Sequence, residues 1–188
     1  VVSRCVKFSL QNIPTSKVHN YLVAVFEKKN IKFDYAALEP IAAAASGSLR
    51  DALSISEQVI AVSGDDSIVL STVFEILGLI SSKTLEGLVA AIVENDAAEA
   101  LKISDDALSK GASAEIILDQ LATVFHEICQ TKILKSVEKK QEGNVVIEDE
   151  MPVTETDANL FYQICLLGKR DLHLAPNELV GLQMTILR

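Results

Sequence analysis

The stretch Gly47-Ser48-Leu49-Arg50-Asp51-Ala52-Leu53-Ser54 sets the register of the whole chain. Glycine and serine interrupt the alanine-rich run before it, residues 42–45, and Ser48 is placed to N-cap a new helix. Asp51, three residues on, supplies the second half of a capping box. Arg50 then falls in the first turn, where unpaired N–H groups and the macrodipole already make the surroundings positive. A cation there is mildly unfavourable unless an anion is near, and phosphate is the anion that helix N-termini take most readily. A solvated arginine on a surface helix fits the same spacing and is the commoner case, so spacing alone favours it over a phosphate site.

Before this stretch, Asn12-Ile13-Pro14-Thr15 starts a first helix. In it Val18, Tyr21, Leu22, Val25 and Phe26 recur at i, i+3, i+4, i+7 and i+8, one amphipathic stripe ended by Asn30. Asp34 caps a second helix through Ala45, with Pro40 deep enough inside to remove one backbone bond and kink it. The third helix runs from Ser48 to about Val62 and buries Leu49, Ala52, Leu53, Ser56, Val59 and Ile60. Ser63-Gly64-Asp65-Asp66 breaks the chain, and a shorter helix from Ser71 to about Leu77 leads to Gly78.

Beyond Gly78, Leu85, Leu88, Val89, Ile92 and Val93 form another stripe, ended at Asn95-Asp96. A helix over about 97–110 stops at Gly111, a suitable C′ glycine. Ser113 caps a long helix with Leu118, Leu121, Ala122, Phe125, Cys129 and Ile133 on one face. From Val137 to Thr156 the pattern dissolves into an acidic, solvated loop. Thr156 starts a helix carrying Leu160, Phe161, Ile164, Cys165 and Leu167, stopped by Gly168. Pro176 opens a last helix, Leu179 to Leu187, which is apolar on nearly all sides and is expected to be buried against this chain or another.

Composition supports an all-α reading. The 188 residues are 49% hydrophobic and only 5% aromatic, with eight glycines and four prolines, and sustained alternation is rare. An exception is the lead from Cys5 to Leu10, which alternates like a short strand or extended linker. Net charge is −9, unevenly spread: residues 1–63 carry seven Lys/Arg against five Asp/Glu, residues 64–188 ten against twenty-one. The second part is therefore a poor nucleic-acid binder. Cys5, Cys129 and Cys165 are odd in number and far apart, which argues against a disulfide framework and for reduced, intracellular thiols. No apolar run approaches the roughly 18–20 residues that span a bilayer, and there is no signal peptide. The chain starts on Val1-Val2-Ser3 without methionine and reads as a piece of a longer protein.

Catalytic motifs are missing. No Gly-x-x-x-x-Gly-Lys-Ser/Thr loop cradles a triphosphate. His126 and Cys129 lie on adjacent faces of one helix, but no further ligand is near in sequence, so no metal site is expected. Arg4 is by itself an ordinary surface arginine. Paired with Arg50, it gives two guanidiniums suited to forked contacts with phosphate oxygens.

Ser3-Arg4-Cys5, Gly47 through Ser54, Phe161-Tyr162-Gln163, Gly168-Lys169-Arg170-Asp171-Leu172, Ala175-Pro176 and Met184-Thr185-Ile186-Leu187-Arg188 together closely resemble the gamma/tau family (DnaX) of bacterial DNA polymerase III clamp loaders, from end to end of the chain. The Ser-Arg-Cys triplet is shared across clamp-loader subunits, including the eukaryotic replication factor C group. The remaining motifs point to gamma/tau.

The resemblance implies an AAA+ ATPase subunit in DNA replication. Residues 1–6 would end a nucleotide-binding domain, 7–78 would form a three-helix lid, and 79–188 a helical collar with an acidic loop at 137–156. Arg4 matches the arginine finger that enters a neighbouring subunit's ATP site. Arg50 matches the sensor 2 arginine, with Ser48 and Leu49 beside it at the phosphate of the subunit's own ATP. ATP and Mg are then cofactors of the intact parent. This stretch, without Walker A, Walker B or the four-cysteine zinc module, is expected neither to bind ATP tightly nor to hydrolyse it. Implied partners are other gamma/tau copies, the delta and delta-prime subunits and, through the complete complex, the sliding clamp and primed DNA. No membrane is implied, and the location is cytoplasmic. Pro40 departs from the family pattern. Two readings of other classes remain, a nucleotide-independent helical adaptor and a helical enzyme built around His126, Cys129 and nearby carboxylates.

Overall fold

The computed structural model describes residues 11–64, 67–142 and 152–188, with 135–142 by backbone alone. Among these residues every regular element longer than an isolated bridge is helical. The chain divides into two units, the first ending at Leu77 and the second running from Gly78 to Arg188.

The first unit holds α1 (Thr15–Lys28), α2 (Tyr35–Ala44), α3 (Leu49–Ser63) and α4 (Leu70–Leu77). Val18, Leu22 and Phe26, one turn apart along α1, are fully buried against Leu38 and Ile41 of α2 and Val59 of α3. Each such side chain contributes about 1.5–3 kcal/mol by leaving water. Tyr21, expected on the same stripe, is 43% exposed because the buried face is centred on the i, i+4, i+8 row. Asn30 ends α1 in the left-handed region at φ 54, a conformation asparagine tolerates better than most residues. Asp34 caps α2 by accepting from the Ala36 N–H at 3.1 Å. The helix continues through Pro40 to Ala44. Proline deprives the Ala36 C=O of its donor, and Ala36 is exposed, so water can take that place. One parallel bridge, Phe33 to Ile68, ties the α1–α2 loop to the strand-like approach to α4. Ile68 N–H donates to Lys32 C=O at 2.9 Å, and Asp34 N–H donates to Ile68 C=O at 2.8 Å.

The second unit holds α5 (Ser82–Val93), α6 (Ala97–Ser109), α7 (Ala114–Glu142), α8 (Glu155–Asp171) and α9 (Glu178–Ile186), with a 3-10 turn at Leu172–Leu174. Its core joins Leu88, Ile117, Leu121, Phe125, Cys165 and Leu182, and the Phe125 and Phe161 rings stand 5.1 Å apart. The α7 and α8 helices pack along much of their lengths.

Several expectations need correction here. Helix α7 runs on to Glu142, past the expected loop start at Val137, because Lys135 to Glu142 contains no Gly or Pro and several strong helix formers. Ile133 is 39% exposed, since the packed stripe of α7 closes near Cys129. The cap of α8 is Thr154 in place of Thr156. Its hydroxyl accepts from the Asp157 N–H at 3.1 Å while the Asp157 carboxylate accepts from the Thr154 N–H at 3.2 Å, a complete capping box. The rest of the expected acidic loop, 143–151, lies outside the described residues. Leu160 and Leu167, i and i+7 on α8, are 51% and 39% exposed.

Gly168 does not stop α8; it is a buried interior position. A Cβ there would overlap Thr185 of α9, so the glycine allows the two helices to approach at that level. Helix α9 starts at Glu178, capped by Asn177, whose Oδ1 accepts from the Val180 N–H at 2.9 Å. Only Leu182 and Thr185 of α9 are buried, while Met184 and Leu187 are at least half exposed. The expected all-round burial is therefore not met within this chain.

Candidate functional site

The turn from α2 into α3 is built on two consecutive left-handed residues, Ser46 at φ 48 and Gly47 at φ 84. Gly47 is also the point where the segments leading into α1 and α3 meet. Its C=O accepts from the Ile13 N–H at 3.2 Å. A Cβ on residue 47 would stand 2.8 Å from Asn12 Cβ and 2.9 Å from Ile13 N and O. Both the dihedral and the space require glycine.

Ser48 follows as the N-cap of α3, its Oγ accepting from the Asp51 N–H at 3.3 Å. The reciprocal half of the expected capping box is not made, because the Ser48 N–H already donates to Ala45 C=O at 2.8 Å. Leu49 turns its side chain into the first core. Arg50 is exposed and makes no ion pair among the described residues. The N–H groups of Leu49 and Arg50 likewise find no acceptor among them. Two unpaired backbone donors, the positive end of a 15-residue helix and a free guanidinium therefore converge on one turn. Such a turn is suited to an anion with several oxygens. Arg4, the other cation singled out by sequence, lies outside the described residues.

Among its described residues the second unit offers no comparable chemistry. His126 is exposed beside the Tyr162 ring at 6.1 Å, and Cys129 Sγ lies 4.0 Å from Glu155 C=O. No group of three or more metal-ligating side chains forms among the described residues. A cavity of about 200 Å³ lined by Phe125, Phe161, Ile164 and Cys165 is largely apolar. Burial pushes the Cys165 thiol up to about 12, so it stays protonated and a poor nucleophile. Lys169 reaches Asp119 at 2.6 Å and Glu115 at 3.3 Å. The Asp119 hydrogen bond, more than any other contact, holds its ammonium charged above the usual lysine range. On this exposed cluster the one ammonium is matched by two carboxylates, a surface ion-pair arrangement that leaves no free cation for an anion. No described helix is long and apolar enough to cross a membrane by itself.

Residues 68–188 match the family model described as DNA polymerase III subunits gamma and tau domain III. The chain belongs to the gamma/tau family of DNA polymerase III. Residues 17–65, which carry the turn just described, match the model of the DNA polymerase III clamp loader subunit ATPase lid domain. The whole chain aligns at 30% identity with DNA polymerase III subunit tau of Escherichia coli K12, covering 30% of that protein. It aligns at 29% identity with the subunit gamma of Buchnera aphidicola from Acyrthosiphon pisum, covering 53% of it. It aligns at 24% with subunit tau of Bacillus subtilis over 87% of this chain and 28% of that one. The chain thus spans about a third to a half of the length of these relatives. It is an all-α pair of clamp-loader parts, a lid and a domain III.

Proposed function

We propose that the intact protein is an AAA+ ATPase subunit of the DNA polymerase III clamp loader, and that this stretch couples its nucleotide state to the geometry of the assembly. The observation that carries the reading is the first turn of α3, where exposed Arg50, without an ion pair among the described residues, and the N–H groups of Leu49 and Arg50, without an acceptor among them, lie within a lid-family match. In the parent, Arg50 would act as the sensor 2 arginine on a phosphate of the subunit's own ATP, whose Mg ion neutralises developing charge. Ser48 would hold the turn, and Leu49 would supply a backbone donor while anchoring it to the lid core. Arg4 would serve as the arginine finger in a neighbouring subunit's site. Closure of the lid on ATP would fix the angle of α3, and the lid would carry that angle onward.

The second unit would be the collar. Leu160, Leu174, Met184 and Leu187 are each half exposed or more, apolar surface suited to packing against other subunits. Its partners would be further gamma/tau copies with delta and delta-prime, and the complete complex would place the sliding clamp on primed DNA in the cytoplasm. The acidic balance of residues 64–188 leaves DNA contacts to other parts of the assembly. The test is Arg50→Ala in the full-length subunit: ATP-dependent clamp loading should fall, and loading at the wild-type rate would overturn the assignment.

A further inference from the structure

The segment that opens the second unit, Gly78-Leu79-Ile80-Ser81, has the sequence of an ordinary connector but is held at Gly78 and Ile80 by the start of α7 and the residue before it. Ser113 and, on α7 itself, Ile116 and Gln120 follow at i, i+3 and i+7, and so share one side of the helix axis. At the first contact, Ser113 N–H donates to Gly78 C=O at 3.1 Å. Gly78 has φ 65, and a Cβ on it would stand 3.2 Å from Ser113 N and 3.4 Å from Ile116 Cδ1.

The second contact is unusual for a connector. Gln120 Oε1 accepts from the Ile80 N–H at 3.1 Å, and Gln120 Nε2 donates to the Ile80 C=O at 3.3 Å. One side-chain amide therefore satisfies both polar backbone groups of one residue, as a neighbouring strand would. The pairing also fixes which end of the amide is oxygen. Ile80 itself is 5% exposed within the second core. Ser81 then caps α5, its Oγ accepting from the Thr84 N–H at 3.2 Å. A connector whose Ile80 is buried and paired through both backbone groups has little freedom left at that residue to act as a tether.

We infer that Gln120 is a positioning residue that locks Gly78–Ser81 onto α7, making the connector a rigid part of the second unit. A change of angle in the first unit then enters at the Leu77–Gly78 junction and is not absorbed by slack in the chain. The transmission half of this inference rests on the proposed clamp-loader role; the lock itself does not.

The lock is tested on this chain by amide hydrogen exchange in Gln120→Leu, which keeps the bulk and removes both partners. The Ile80 amide should exchange at least about tenfold faster, the factor expected for one lost buried hydrogen bond, with amides in the middle of α7 and α8 unchanged. Gln120→Glu guards against a folding defect. Its carboxylate still accepts from the Ile80 N–H but presents oxygen to the Ile80 C=O, so protection should fall between wild type and Gln120→Leu. Equal Ile80 exchange in all three overturns the lock. In the full-length subunit, Gln120→Leu should lower ATP-dependent clamp loading several-fold with ATP affinity unchanged. Faster Ile80 exchange with normal loading overturns transmission. If instead Arg50→Ala leaves loading intact, the clamp-loader reading fails while the Ile80 result stands.

Discussion

Gly168→Ala sets helix propensity against packing at a single atom. Alanine is favoured over glycine by about 1 kcal/mol in a helix interior, so a freely exposed Gly168 would be improved by the change. The added methyl, however, would overlap Thr185 Cγ2 and Oγ1 and stand 2.8 Å from Thr185 Cβ. Thr185 cannot swing away cheaply: it is 7% exposed, and its hydroxyl donates to Gly181 C=O at 2.8 Å. Helix α9 must therefore shift as a body. Overpacking of this kind costs roughly 1–3 kcal/mol, and overlap with several atoms of one buried side chain argues for the upper end. After subtracting the propensity gain, the net loss is about 2 kcal/mol. For a unit of about 110 residues that lowers Tm by roughly 8 °C. Thermal unfolding followed by circular dichroism reads this directly. The double variant Gly168→Ala with Thr185→Ala should recover about 1 kcal/mol relative to the sum of the single changes, because two of the overlapping atoms are gone. A Tm for Gly168→Ala within about 2 °C of wild type, or above it, would refute the close approach of α8 and α9.

Gly47→Ala should cost about 2–4 kcal/mol in the first unit, from a left-handed φ together with the contacts at Asn12 and Ile13, and should lower the urea midpoint of that unit's transition. The raised Cys165 pKa gives a stability contribution that is full below the unfolded value of 9.0 and is lost as pH rises toward about 12, because the unfolded chain releases this proton first. With Cys5 and Cys129 replaced by serine, a disulfide reagent at pH 8 should react with Cys165 only as fast as the second unit opens; immediate reaction of the native protein would contradict its burial.

What the sequence revealed follows how local each cause is. The caps at Asp34 and Ser48 and the terminators Asn30 and Asn95 depend on residues within one turn, and each stands at a helix end. The turn at Arg50 was legible for the same reason, since its chemistry lies in four consecutive residues. Causes that act across the fold were not legible. Gly168 reads as a stop signal until Thr185, on another helix, is seen against it. Gln120 follows Asp119 as one more polar position of α7, with nothing local to mark its role, because its partner Ile80 lies 40 residues away. Apolar periodicity also overstated burial: Leu160, Leu167 and Ile133 fit stripes whose width exceeds what the neighbouring helices cover. The extended pair at Phe33 and Ile68 is too short to leave an alternating pattern.

The central claim is that Arg50 meets nucleotide phosphate in the intact subunit, and the most direct measurement is the ATP dissociation constant of the full-length protein carrying Arg50→Ala. Removing a charge-assisted contact worth about 1.5–3 kcal/mol should weaken binding roughly 10- to 150-fold. Arg50→Lys should recover only part of it, because an ammonium keeps the charge but not the forked donors. An ATP affinity for Arg50→Ala equal to that of wild type would contradict the account.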